Sequence, residues 1–148
     1  MVIFLPIEAS GLDRAETNPS PKVLQVLDSL YPGEKSVTWT SVRRQYKADF
    51  IYQDINVSVL FDREGRIKSL LREISFSTLP EKVREKIEIF YRSFKIMMVL
   101  ERNRDKRTEY EVHIIRGDQQ YILSYHPKGY LIHQYDVQRL DPATQFVN

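Results

Sequence analysis

The 148-residue sequence contains no cysteine. That absence excludes disulfide frameworks, thiol catalysis and Cys-based zinc sites, but leaves the compartment open, since many exported proteins also lack Cys. Glycine is scarce, with five residues, mostly in turns. Neither a glycine loop that cradles phosphate nor a G-x-S-x-G nucleophile turn is present. Charge of one sign is also lacking: 22 Lys and Arg stand against 20 Asp and Glu, a formal +2. A dedicated nucleic-acid binder needs a concentrated basic surface that releases counterions, and this balance argues against one. Long hydrophobic runs are missing as well. Met1–Ile7 (MVIFLPI) is apolar but short, lacks a basic flank and is broken by Pro6, so it neither spans a bilayer nor has the layout of a complete signal peptide. It reads as a first strand or a tail on the domain, with a mature or trimmed form whose export signal is not visible in this sequence as the alternative.

What is present is a soluble, globular composition, 42% hydrophobic and 28% charged, with nine Tyr, seven Phe and one Trp placed largely in strand-like segments. Residues 1–20 read as an N-terminal arm, 21–140 as one domain, and 141–148 as a C-terminal tail. Ser20 and Pro21 suit a helix start, and Val23, Leu24, Val26, Leu27, Leu30 and Tyr31 form a stripe at helical spacing that Pro32-Gly33 ends. Strands follow at 36–42, 46–52, 55–61 and 67–76. In the middle pair Tyr46, Ala48, Phe50 and Tyr52 alternate with Lys47, Asp49 and Ile51, the pattern of antiparallel strands packed on one face.

A second helix is expected from Thr78-Leu-Pro-Glu81, with Thr78 as cap and Val83, Ile87, Phe90, Tyr91 and Phe94 as its stripe. Strands at 96–100, 108–116, 119–125 and 130–137 follow, with 101–107 as a long hairpin loop. Tyr46–Gly65 and Tyr110–Gly129 also align at a constant offset: Tyr46 with Tyr110, Phe50 with Ile114, Val59 with Leu123, Phe61 with Tyr125, Gly65 with Gly129. The expected fold class is therefore α+β, two repeated helix-plus-four-strand antiparallel units (21–77 and 78–140) with the helices packed on one face of the sheet.

Several motifs carry a family resemblance. Tyr31-Pro32 ending the first helix, the lone Trp39, the Phe61-Asp62-x-x-Gly65 turn and Leu79-Pro80 before the second helix resemble the PepSY-like family, described as β-lactamase-inhibitor-like. The second half departs from that pattern at Arg92, where proline is expected, and at His126-Pro127, where an acidic turn is expected. The resemblance implies a small bacterial envelope protein, periplasmic or secreted. Some related domains bind and inhibit enzymes. No catalytic residue comes with it.

The residues themselves suggest no catalytic site. His113, His126 and His133 lack metal-ligand spacing and read as outward-facing polar residues, although His113 and His133 would meet if their strands were neighbours. No carboxylate pair is set out for acid–base work. Arg102-Asn-Arg-Asp-Lys-Arg107 reads as a solvated hairpin tip. Trp39, Tyr46, Phe50, Phe61, Tyr110, Tyr121 and Tyr125 read as core. The opposite, half-polar face is the candidate binding surface: Lys47, Asp49, Ile51, Asn56, Ser58, Glu111, His113, Gln120, Ile122 and Ser124. The expected function is a non-enzymatic protein- or peptide-binding module of the cell envelope, inhibitor-like in manner. It requires no cofactor, no metal, no nucleic acid and no membrane span. The alternatives are a small-molecule or lipid pocket between helices and sheet and, on the basic run alone, a nucleic-acid module.

Overall fold

The computed structural model describes residues 18–34 and 36–139. Most of the N-terminal arm, including Met1–Ile7, and the C-terminal tail lie outside the described residues. Along the chain run α1 (Pro21–Leu30), β1 (Thr38–Val42), β2 (Gln45–Tyr52), β3 (Ile55–Phe61) and β4 (Ile67–Glu73). A 3₁₀ turn (Phe76–Thr78), α2 (Glu81–Phe90), β5 (Lys95–Arg104), β6 (Arg107–Arg116), β7 (Gln119–Tyr125), β8 (Leu131–Asp136) and a second 3₁₀ turn (Val137–Arg139) follow.

The expected fold class is corrected here. The eight strands follow one another in sequential order through one antiparallel sheet, and half of the structure is strand against 21% helix. It is not a pair of repeated helix-plus-four-strand units. Each ten-residue helix buries only two side chains, Val23 and Leu27 in α1, Val83 and Ile87 in α2. The halves also differ in build: β5 has ten residues and a bulge between Ile96 and Met98, whereas β1 has five and none. Side chains alternate with a period of two in every strand of a meander, so the alternation shared by the two stretches does not by itself require a repeated unit.

By Cα packing the chain divides into two compact units, with the boundary between Arg72 and Glu73. In the first, Ser20 adopts an extended conformation and its hydroxyl accepts from the Val23 amide at 3.5 Å, capping α1 as its residue type dictates. Pairing Tyr46 with Phe61, Ala48 with Val59 and Phe50 with Val57 puts all six on the face that meets Val23 and Leu27. Val23, Ala48, Val59 and Phe61 are fully buried; each large apolar side chain so buried contributes about 1.5–3 kcal/mol. Tyr31 closes the far end, edge-on to Phe50 and Tyr52 at 4.9 Å.

The Asp62–Gly65 turn is held from within. Asp62 Oδ1 accepts from the amides of Glu64 (3.0 Å) and Arg66 (2.9 Å), and Oδ2 from Arg66 Nε (2.6 Å). Desolvation pushes this carboxyl up, but the Arg66 amide and guanidinium outweigh it and hold the group below the usual aspartate range. Ser20 Oγ also donates to Arg63 O at 3.1 Å, tying the turn to the start of α1.

In the second unit Val83 and Ile87 pack with Leu79, Val99, Val112, Ile114, Leu123 and Tyr125. The expected Thr78 cap is corrected. Pro80 occupies the cap position without a side-chain bond, and Thr78 Oγ1 instead lies 2.7 Å from Ser75 Oγ within the 3₁₀ turn. That turn begins at Phe76, so β4 stops at Glu73, short of the expected strand end. The long loop expected over 101–107 is likewise replaced by strand, with Arg104 and Arg107 paired and only Asp105-Lys106 turning. Those two residues sit at φ 49° and 63°, and Arg43-Arg44 and Gln53-Asp54 turn their hairpins with the same left-handed geometry. Two-residue hairpin turns of this kind usually carry glycine or asparagine.

Candidate binding surfaces

In the first unit Lys47, Asp49 and Ile51 of β2 and Asn56 and Ser58 of β3 lie on the face turned away from α1. Asp49 pairs with Ser58 and Ile51 with Asn56, so the five form one patch. Lys47 Nζ reaches Asp49 Oδ2 at 3.0 Å, both about one-third exposed, a contact of modest energetic weight. Ile51 is the apolar centre of the patch, 61% exposed.

In the second unit Glu111 and His113 of β6 and Gln120, Ile122 and Ser124 of β7 also face away from the helix. Glu111 sits opposite Ser124 and His113 opposite Ile122. This surface carries its own polar network. Glu111 Oε2 accepts from Arg102 Nη2 (2.5 Å) and Nε (3.1 Å), its Oε1 lies 3.4 Å from His113 Nε2, and Ser124 Oγ donates to Glu109 Oε2 at 3.3 Å. Burial pushes the Glu111 carboxyl up, but the His113 bond and the Arg102 guanidinium prevail and bring it down to about 2. Both Glu111 oxygens therefore already have contacts within the chain, Oε2 with Arg102 of the neighbouring strand and Oε1 with His113 of its own. Gln120 is exposed, Ile122 half-buried and Ser124 buried.

Sequence reasoning missed two things about this face. Arg102 is a paired strand residue and not part of a solvated tip. The β8 residues opposite β7, His133 and Tyr135, extend the face, with rings 5.6 Å apart. His113 and His133 do not meet, because β7 lies between their strands. Among the described residues no group of three or more His, Asp or Glu is placed to hold a metal ion. The aromatic residues read as core do lie on the helix side: Phe50, Phe61 and Tyr125 are buried, while Trp39, Tyr46, Tyr110 and Tyr121 pack against the two cores.

Two open clefts mark the second unit. One, of about 250 Å³, is lined by Phe76, Ile87, Glu88, Tyr91, Arg92, Phe94 and Ile96 beside the end of α2. The other, of about 500 Å³, lies at the turn end of the strands, between Lys106, Arg107, Thr108 and Glu109 on one side and His126, Pro127 and Tyr130 on the other. Within it the His126 and Tyr130 rings stack at 4.3 Å and 9°.

No protein-family model and no curated protein matches the chain. Solved structures do. A DUF2874 family protein from Bacteroides uniformis is 19% identical with a TM-score of 0.74, over 88% of this chain and 100% of that one. A BLIP-like protein from Bacteroides fragilis is 24% identical with a TM-score of 0.70, over 84% and 91%. A protein from Bacteroides eggerthii, described as a candidate periplasmic protein, is 15% identical with a TM-score of 0.73, over 82% and 91%. At these identities the likeness is one of fold: the chain has a BLIP-like fold, that of β-lactamase-inhibitor-like proteins. No helix among the described residues is long and apolar enough to cross a membrane.

Proposed function

We propose that the protein is a non-enzymatic, inhibitor-like module of the bacterial envelope, periplasmic or secreted, that grips a protein or peptide on sheet surfaces turned away from the helices. The observation that carries this reading is Ile51. It is a large apolar side chain, 61% exposed, beside Asp49, Asn56 and Ser58 on a strand pair whose other face packs against Val23 and Leu27 of α1. An apolar centre with a polar rim is the anatomy of a protein-binding patch. The BLIP-like fold of the fragilis neighbour and the periplasmic description of the eggerthii neighbour support the same reading. The PepSY-like kinship belongs to it too, on the strength of Tyr31-Pro32, Trp39 and the Asp62–Gly65 turn. A ligand pocket between helix and sheet has weaker support, since that layer is filled by fully buried Val23, Val59, Val83 and Val112.

The test is capture from a native envelope extract with wild-type protein and with Ile51→Asp and Tyr135→Ala as baits, folding being checked by circular dichroism. One partner held by the wild type and lost by a folded Ile51→Asp is the expected result. Equal recovery by all three baits counts against the sheet-face reading.

A further inference from the structure

The turn-end cleft of the second unit has a composition that the sheet-face reading does not use. At the tip of the β5–β6 hairpin Arg104 and Arg107 are directly opposed, with Lys106 between them at φ 63°. Like charges opposed across a strand pair are unfavourable. The only acid in the turn is Asp105, whose Oδ2 is 4.0 Å from Arg104 Nε with both side chains more than half exposed. Arg107 and Lys106 thus stand at the cleft mouth with no ion pair of their own among the described residues.

The opposite wall is hydrogen-bonded within its own turn. The His126 amide donates to Tyr130 O (3.0 Å) and the Gly129 amide to His126 O (2.8 Å). The Lys128 amide donates to His126 Nδ1 at 3.1 Å. This bond leaves Nε2 as the proton-bearing nitrogen of the neutral ring, and the stack on Tyr130 fixes the ring plane. Tyr130 itself is 56% exposed. One wall carries Lys106 and Arg107 beside a single carboxylate, Glu109, which accepts from Ser124 Oγ at 3.3 Å; with a stacked imidazole and an exposed phenol opposite, the two cations suit a carboxylate with a flat or apolar neighbour.

We propose that this cleft is an anchor site for an extended acidic peptide segment of a protein partner, with Arg107 and Lys106 taking a carboxylate and Tyr130 the adjoining apolar side chain. The proposal rests on the reading of the protein as a protein-binding module, but not on the choice of the sheet face. Such an anchor relieves the opposed arginines only when the partner is present, which gives the hairpin tip a reason to carry them.

The test uses a short fluorescein-labelled peptide of alternating glutamate and tyrosine. A lysine–tyrosine peptide and a single-stranded oligothymidylate serve as competitors, and anisotropy is the readout. Salt-sensitive binding that weakens about tenfold in Arg107→Ala is expected, with a smaller loss in Arg107→Lys, which keeps the charge but not the fork. A comparable loss in Tyr130→Ala and none in Ile51→Asp complete the expected pattern. No binding to the wild type, equal binding to Arg107→Ala, or competition by oligothymidylate as strong as by unlabelled acidic peptide overturns the proposal. A cleft that fails this test leaves the sheet-face reading standing. Equal partner capture by Ile51→Asp sinks that reading and leaves the cleft untouched.

Discussion

Replacing Glu111 by Gln removes the charge at the centre of the second unit's outer face while keeping its shape. The ordinary glutamate value is 4.5 and that of Glu111 is about 2. The gap of about 2.5 (4.5 less about 2) corresponds to about 3 kcal/mol at 1.36 kcal/mol per unit. Because the folded value is depressed, that stability is fully present above the unfolded value near 4.5 and is lost as pH falls toward about 2. Glu111→Gln also leaves the Arg102 guanidinium, 23% exposed, without its counter-charge, so a loss of about 3 kcal/mol at neutral pH is expected. Urea unfolding of both proteins from neutral pH down to about pH 2.5 measures this, since every other carboxylate is common to the pair. The wild type should exceed the variant by about 3 kcal/mol at neutral pH, and the difference should shrink steadily below about pH 4.5. A difference that stays constant across the range refutes the reasoning, because Glu111 would then titrate alike in the folded and unfolded chains.

Glycine substitutions separate packing from backbone strain. A Cβ at Gly129 would stand 2.8 Å from Lys82 Cβ and 3.0 Å from Lys82 O, at Gly65 3.3 Å from Lys22 O, and at Gly117 near nothing, all three at positive φ. Alanine should cost about 1 kcal/mol at Gly117 from strain alone, more at Gly65 and most at Gly129, in that order by thermal unfolding; an inverted order would mean that the turns do not press on the helix starts. Leu123→Ala, at a fully buried position of the second core, should cost about 3 kcal/mol in chemical denaturation. A cost below about 1 kcal/mol would show that the site collapses around the loss.

Local pattern determined much of this protein. Ser20-Pro21 sets the start of α1, and Tyr31-Pro32-Gly33 its end, because capping and φ preference are properties of adjacent residues. Ile55–Phe61 and Gln119–Tyr125 are strands from first to last residue as read, and alternation alone assigned Tyr46 and Phe50 to one face and Lys47 and Asp49 to the other. The hairpin at Asp105-Lys106 was not legible. Neither residue is glycine, and the left-handed turn they adopt is imposed by the paired strands on both sides.

The fold class depended on facts beyond local pattern. Evenly spaced hairpins look alike whether they belong to separate units or to successive stretches of one meander. Only the run of strands through one antiparallel sheet, with helices too short to dominate, decided between them. The roles of Glu111 and Arg102 were decided in the same way. Their bond joins residues nine apart across a strand pair, and a carboxylate's freedom depends on what the register sets beside it. Sequence therefore settled which residues point away from each helix. Tertiary structure decided which of them are buried or ion-paired, because both depend on register between strands.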